Sequence, residues 1–362
     1  MRSVEHTRPR PGLSVPVVTA LDARGELLEA DQRAVVRHVI QDGWGADIVF
    51  AAGTTGEWDR LPGETSRRVV AICAEEVRKA NAELADADRV ECWAGITAQT
   101  RGETLANAIA AIAAGADALV LAPLAVRDAD DAVRFVAREL GDLLDASARR
   151  VPVYLYDNAA IATDPHRTHI PTKHVKALSR LDFVRGIKVS AGLKVLGNYT
   201  QAAKSFRERG EFGIYVGDAM SIFDVFRPRH GLRGLLSDYW QRFWLSGGLP
   251  VGVVSGPANA LPREWARAWQ VCRAGDAERM RAAERVLGAF RAATKASGSR
   301  TIACLKRALL RQGVLASDAV AAGTPALAAA DAERFDAAFE EVRSLARELL
   351  EPTWVTPGGG AP

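Results

Sequence analysis

The chain has 362 residues, 48% of them hydrophobic and 25% charged, which is the composition of an ordinary globular protein. A formal net charge of +3, with acidic and basic residues interspersed, gives no indication of binding to nucleic acid or to a membrane surface. The N-terminal residues lack the apolar core of a signal peptide, and no apolar run reaches the roughly 18 residues typical of a membrane span. We therefore expect a cytoplasmic protein with neither nucleic acid nor a membrane as partner.

Eight short apolar segments recur along the chain and predict strands that are buried on both faces. They begin at Leu13, Asp47, Glu91, Ala118, Val151, Phe183, Phe212 and Val251. Segments with helical periodicity lie between them, for example "DQRAVVRHVIQDG" and "TLANAIAAIAAGA". Eight alternating units of about 30 residues predict an α/β fold and favour a (β/α)8 TIM barrel over a doubly wound sheet.

After the eighth segment the strand pattern ends, and sequence rich in alanine, arginine and glutamate follows with helical periodicity, as in "AERMRAAERVLGAFRAA". This pattern predicts a C-terminal helical extension packed on the barrel. We predict an N-terminal arm at residues 1–12, the barrel at 13–262, the helical region at 263–350 and a disordered tail at 351–362.

The cysteines and histidines give little indication of a metal site. Three histidines, His166, His169 and His174, lie close together after the fifth predicted strand, but no cluster of carboxylates accompanies them, and we expect no metal. The four cysteines lie far apart without CxxC spacing, which favours buried free thiols over a zinc site or disulfides. They are Cys73, Cys92, Cys272 and Cys304.

A single lysine, Lys188, lies inside the sixth apolar segment, "FVRGIKVSAG". Burying an ammonium group without a partner is costly, so a lysine is unusual in a strand interior. Such a lysine either extends its head group into water or serves as a neutral amine that attacks a carbonyl. Active sites of (β/α)8 barrels lie at the C-terminal ends of the strands, and Lys188 is close to the end of its strand. Its position therefore favours the second interpretation.

Two further strand ends carry groups suited to chemistry. The second apolar segment ends in "AAGTTGEWDRL", where Gly53 allows a tight turn, and Thr54 and Thr55 offer hydroxyl and N–H groups. Such a turn suits a carboxylate or a phosphate, although an ordinary glycine-rich turn fits the same sequence. The fifth segment ends in "YLYDN", which places Tyr156 one unit from Lys188, in a position to relay protons.

Taken together, these motifs resemble those of the dihydrodipicolinate synthase / N-acetylneuraminate lyase family. "GTTGEWDRL" is similar to the family's G-T-T-G-E-x-x-x-L, "LYDN" to the segment of its catalytic tyrosine, and "GIKVS" to the strand of its Schiff-base lysine. "TALDARGEL", "VGD" and "GVVSGPANALP" are similar to its first, seventh and eighth strands. The resemblance extends over residues 13–345 and implies a (β/α)8 barrel followed by C-terminal helices.

The resemblance also implies a role for each matching residue. Lys188 would form an imine with the keto carbon of pyruvate or another 2-keto acid, and Tyr156 would shuttle protons. A protonated imine is an electron sink, so no metal or other cofactor is expected beyond the covalent imine itself. The substrate-binding positions would be Gly53, Thr54, Thr55, Gly217, Val254 and Ser255, with the Val254 carbonyl orienting the lysine.

The sequence departs from the family at several positions. Synthases have a proline and a carboxylate-binding arginine after the catalytic tyrosine, and "YDNAAIAT" has neither. They also have an aromatic residue after the fourth strand that reaches a neighbouring subunit, where this chain has Leu124 and Ala125. Both differences argue against the synthase reaction of lysine biosynthesis. Neuraminate lyases usually carry an acidic pair after the seventh-strand glycine, and only Asp218 stands there.

The segment between the seventh and eighth predicted strands is longer than is usual in the family. It contains "RPRHGLRGLLSDYWQRFWL", in which Trp240, Phe243 and Trp244 follow helical spacing. Such a stripe is most often packing, on the barrel or on a partner subunit. A lid over the site is the alternative.

The resemblance thus indicates a divergent member of the family. We expect an aldolase or lyase that makes or cleaves a C–C bond between a 2-keto acid and an aldehyde, in a homo-oligomer, either a tetramer or a dimer. A dehydratase of a keto-deoxy sugar acid would use the same lysine to expel water. A non-catalytic regulatory paralogue is the third possibility.

Overall fold

A computed structural model describes residues 8–129, 131–204, 212–227 and 249–350. Eight parallel strands close into a barrel in chain order, with β1 hydrogen-bonded to both β2 and β8. The strands are β1 (Gly12–Pro16), β2 (Ile48–Ala51), β3 (Glu91–Gly95), β4 (Ala118–Leu121), β5 (Val153–Asn158), β6 (Val184–Ser190), β7 (Gly213–Val216) and β8 (Gly252–Val254). The predicted (β/α)8 barrel is confirmed.

Helices lie between the strands and continue after β8 within the described residues. Those between the strands are α1 (Glu29–Ile40), α2 (Gly63–Asn81), α3 (Arg101–Ala114), α4 (Ala132–Arg134), α5 (Gly141–Ala146), α6 (Thr172–Leu178), α7 (Leu193–Lys204) and α8 (Ile222–Phe226). Those after β8 are α9 (Pro262–Ala274), α10 (Ala277–Ala296), α11 (Thr301–Arg311) and α12 (Ala329–Leu349). The predicted C-terminal helical extension is therefore also confirmed.

The lumen of the barrel is filled by an aromatic cluster. The ring of Trp93 stacks on Tyr154 with centroids 3.9 Å apart, and Tyr215 meets both rings edge-on. Two inward-facing glycines leave room for these rings: a Cβ at Gly252 would lie 2.5 Å from Tyr215 Cδ1, and one at Gly186 would lie 2.8 Å from Tyr154 Cδ1. Because strand side chains alternate, Tyr154 is followed on the same inward face by Tyr156. The cluster therefore forms a floor beneath the C-terminal ends of β5 and β6.

A buried amide side chain links the first and last strands of the barrel. Asn259, in the turn after β8, accepts a hydrogen bond from the Val18 N–H at 3.1 Å. Its Nδ2 donates to the carbonyls of Pro16 and Gly256, both at 2.8 Å. Since Asn259 is fully buried, these bonds hold the loop after β8 against the end of β1 without competition from water.

Several expectations lie outside the described residues. These are the aromatic stripe of Trp240, Phe243 and Trp244 and the tail at 351–362. The predicted domain boundaries, the cytoplasmic location and the homo-oligomer stay predictions. All four cysteines are buried and free, as predicted. In the described part of the chain, no helix combines the length and the apolar character needed to cross a membrane.

Candidate active site

Strands β5 and β6 bring Tyr156 and Lys188 together. The two residues are direct partners in the strand register, and each is only 6% exposed. The Lys188 Nζ lies 3.8 Å from the centroid of the Tyr156 ring and 5.3 Å from that of the Phe50 ring. Aromatic faces attract an amine when it is charged. They do not form the ion pair with it that a carboxylate would form.

The pairing of Lys188 differs from that of the other buried lysine. Lys306 forms an ion pair with Glu57, whereas no carboxylate of the described residues lies within ion-pairing distance of Lys188. An amine held in an ion pair keeps its proton and its lone pair is not available to a carbonyl. Lys188 therefore lacks the ion pair that makes Lys306 a structural cation.

The Tyr156 hydroxyl lies at the centre of a small polar network. Asn158 Nδ2 donates a hydrogen bond to it at 2.7 Å, and Thr54 Oγ1 lies 3.4 Å away. Burial by itself would raise the pKa of Tyr156, but the charge of Lys188 and hydrogen bonds with Thr54, Ser190 and Asn158 outweigh it and lower the pKa below the usual 10.0. The hydroxyl is thus well suited to give up and regain a proton beside the lysine.

The turn after β2 approaches this pair from one side. Thr54–Gly56 form one turn of 3-10 helix, and Gly53 precedes it in extended conformation. A Cβ at Gly53 would lie 3.0 Å from the Phe50 ring, so a larger residue there would require the ring to shift. The hydroxyl of Thr54 faces Tyr156, and Thr55 lies at the turn after β8, where a Cβ on Gly256 would be 3.0 Å from Thr55 Oγ1.

The remaining predicted binding residues lie at the C-terminal ends of β7 and β8. A Cβ at Gly217 would lie 2.4 Å from Ser190 Oγ, so the close approach of β6 and β7 requires glycine there. Val254 is buried in the same inward-facing cluster as Tyr156, but among the described residues its carbonyl has no hydrogen bond to the Lys188 amine. Ser255 is fully buried, and its hydroxyl has no partner within the described part of the chain.

Two polar residues of the network are absent from the sequence-based site. Asn158 and Ser190 each lie two positions after a predicted catalytic residue, on the inward face of the same strand. The two-residue period of the strands is the signal that would have found them.

One of the three histidines after β5, His169, has a structural role. His169 Nδ1 lies 2.7 Å from a carboxylate oxygen of the fully buried Asp157, whose other oxygen accepts the Ile170 N–H. Asp157 alternates with Tyr156 and Asn158 and so points away from the lumen. Over the residues that the structure describes, no group of three or more potential metal ligands comes together.

The wall of the site beyond Tyr156 is apolar. Ile161, in the short turn after β5, and Trp58, after β2, are partly buried and pack against the inward-facing cluster that contains Tyr156. Arg167, further along the same loop, has a side chain that is 70% exposed and lies 3.8 Å from Asp164. Arg167, the arginine of this loop, is therefore directed at Asp164 and solvent and not at the inward-facing cluster.

The sequence matches one family model and a curated protein. The sequence model of the dihydrodipicolinate synthetase family matches residues 10–337. The 4-hydroxy-tetrahydrodipicolinate synthase of Hyphomonas neptunium (strain ATCC 15444) is 30% identical over 277 residues, which are 76% of this chain and 80% of that protein.

Solved structures show the same fold. Dihydrodipicolinate synthase from Bacteroides thetaiotaomicron superposes with a TM-score of 0.73 at 20% identity, over 92% of this chain and 99% of that one. YagE, a prophage protein of the dihydrodipicolinic acid synthase family from E. coli K12 whose structure is a complex with pyruvate, gives 0.72 at 18% identity, over 92% and 98%. These relatives support a pyruvate-dependent lyase as the activity of the family. This chain, by its sequence match and its barrel, belongs to the dihydrodipicolinate synthetase family.

Proposed function

We propose that this protein is a class I aldolase or lyase that makes or cleaves a C–C bond between pyruvate, or another 2-keto acid, and an aldehyde. Lys188 forms an imine with the keto carbon. The single observation that carries the proposal is the position of the Lys188 amine, buried at the mouth of the barrel, without a carboxylate partner and 3.8 Å from the Tyr156 ring.

Imine formation needs proton transfer at both the nitrogen and the oxygen. The neutral amine attacks the keto carbon, and the net change to imine and water moves two protons from the lysine nitrogen to the departing oxygen. Tyr156 is the group beside Lys188 that exchanges these protons, because its hydroxyl is held in the polar network of Asn158 and Thr54 next to the lysine.

The imine nitrogen then takes up a proton from water, and the protonated imine enables carbon chemistry. It withdraws electrons from the adjacent carbon, which loses a proton and becomes the nucleophilic carbon of an enamine. This carbon attacks the aldehyde, the aldehyde oxygen takes up a proton, and water releases the product from Lys188. Cleavage is the same sequence in reverse, and neither direction requires a metal or an organic cofactor.

The turn at Thr54 and Thr55 gives the 2-keto acid its orientation. Its hydroxyl groups and N–H groups are suited to a carboxylate, and Thr54 lies within 3.4 Å of the Tyr156 hydroxyl. A carboxylate held there places the neighbouring keto carbon toward Lys188, and such placement contributes strongly to the rate.

Covalent trapping tests the proposal. Borohydride reduces an imine to a stable amine, so pyruvate plus borohydride should add one reduced adduct at Lys188, found by intact mass and by peptide mapping. Adducts at an exposed lysine such as Lys194, or none with a panel of 2-keto acids, would contradict the proposal and favour a non-catalytic paralogue. Product analysis then separates C–C cleavage, which releases pyruvate, from dehydration, which releases only water.

The apolar wall leads to a prediction about the aldehyde. Synthases of the family bind an anionic aldehyde through an arginine that is absent from "YDNAAIAT". Loss of a charge-assisted pairing costs about 1.5–3 kcal/mol, or roughly 10–150-fold in binding. We expect kcat/KM with pyruvate to be higher for neutral aldehydes than for aspartate semialdehyde. Comparing both aldehydes in the wild type and in Arg167→Ala tests this: efficient semialdehyde turnover that depends on Arg167 would show that this arginine replaces the missing one.

A further inference from the structure

A buried ion pair joins the turn after β2 to the C-terminal helical region. The Lys306 Nζ lies 2.6 Å from a carboxylate oxygen of Glu57, and neither side chain is exposed. Glu57 follows directly on the Thr54–Gly56 turn, whereas Lys306 lies 249 positions later, on α11. The pair is a direct polar connection between α11 and the segment proposed to bind the carboxylate.

The hydrogen bonds of this pair are extended by two backbone groups. Lys306 also donates to the Ala319 carbonyl at 2.8 Å, and the Ala321 N–H donates to the second oxygen of Glu57 at 2.8 Å. Removing two charges from water is costly even when they meet with good geometry, so a buried pair is weak evidence for stabilisation alone. The pair lies directly after the Thr54–Gly56 turn, which points to a role in holding that turn.

The backbone of Glu57 shows how the pair could act on the turn. Glu57 has a φ of 61°, in the left-handed region that side-chain-bearing residues rarely adopt. Such a conformation persists where the surrounding structure holds it. In this conformation the Glu57 N–H donates to the Thr54 carbonyl at 3.1 Å, which closes the turn whose hydroxyl faces Tyr156.

Other contacts hold the same turn from behind. The Thr19 hydroxyl donates to the Gly56 carbonyl at 2.8 Å. A Cβ on Gly256 would lie 3.0 Å from Thr55 Oγ1 and 3.9 Å from Leu305 Cδ1, so Thr55 and Leu305 of α11 both lie beside Gly256 in the turn after β8. Consecutive residues of α11 thus lie against Glu57, which follows the turn, and against Gly256, which lies beside Thr55.

We propose that Lys306, acting through Glu57, is a positioning residue that sets the geometry of the Thr54–Gly56 turn and thereby the affinity for the 2-keto acid. This inference rests on the proposed function. Lys306 itself, buried behind the turn, contacts no substrate. The C-terminal helical region then has a part in substrate binding as well as in packing.

Lys306→Met tests the inference, since it keeps the apolar stem and removes the charge. Lys188 and Tyr156 are untouched, so we expect the loss mainly in binding. KM for pyruvate, and the pyruvate concentration that half-saturates borohydride trapping, should rise about tenfold or more, with a smaller change in kcat. The matched control is Arg307→Met on the same helix, because Arg307 pairs with Asp336 and Asp318 within the C-terminal region, at 2.6 and 3.2 Å. This control should lower thermal stability and leave both pyruvate constants unchanged.

A second variant covers the case in which the single substitution prevents folding. Glu57→Gln/Lys306→Met leaves no uncompensated buried charge, and it should fold and still raise both constants. If a folded variant keeps both constants within about twofold of those of Arg307→Met, the pair has only a structural role and the inference is wrong. If the wild type itself forms no adduct, the proposed function fails instead, so the two failures are distinguishable.

Discussion

Replacing Lys188 with alanine should remove both turnover and the borohydride-reducible adduct with pyruvate. The proposed reaction passes through an imine on this nitrogen, and removal of a nucleophile of this kind costs more than about 10⁴ in kcat. The fold should survive, because Lys188 has no carboxylate partner among the described residues. Its removal therefore leaves no buried charge without a counter-charge. Steady-state kinetics and intact mass after reduction measure the two losses.

The matched control for this change is Lys194→Ala. Lys194 is exposed on α7, six positions after Lys188 in the chain, and its loss should leave both the adduct and turnover intact. Substantial turnover in Lys188→Ala, or an adduct that persists there and disappears in Lys194→Ala, would assign the chemistry to another residue.

Removing the hydroxyl of Tyr156 should slow turnover by about 10²–10⁴, the usual contribution of a positioned acid–base group. Tyr156→Phe keeps the ring that lies against Lys188 and loses only the group that Asn158 and Thr54 contact. We expect imine formation to slow together with turnover, because both need proton transfer beside the lysine. Single-turnover trapping at several times after mixing measures the first, and steady-state kcat measures the second.

Tyr154→Phe provides the comparison for Tyr156. Tyr154 lies on the same inward face of β5, stacked on Trp93 in the floor of the barrel, and burial raises the pKa of its hydroxyl. Its loss should reduce thermal stability and leave kcat nearly unchanged. A loss below about threefold in Tyr156→Phe would place the proton relay on another residue or on water.

The sequence by itself determined the architecture of this protein. Eight apolar segments of strand length, separated by helical periodicity, are sufficient to predict the parallel barrel, because strands buried on both faces must be apolar throughout. The same pattern placed Lys188 and Tyr156 near strand ends, where barrel sites lie. These features are local, and each depends on the order of residues within a single segment.

Other features were decided only by the tertiary structure. The two-residue period of the strands places Asn158 and Ser190 on the inward face, but only the packing of β5 against β6 shows that both hydrogen-bond with the Tyr156 hydroxyl. His169 and Asp157, separated along the chain, meet in a hydrogen bond that no spacing rule predicts.

The ion pair of Glu57 and Lys306 is the clearest case. In the sequence, Glu57 is one letter of a motif and Lys306 one of many cations on helical segments, with nothing to join two positions 249 residues apart. Closure of the barrel brings α11 behind the turn after β2 and excludes water from both charges, and only that exclusion requires the two side chains to pair. Periodicity within a segment predicts which face of each element is buried. Which polar groups meet there depends on the packing of distant segments.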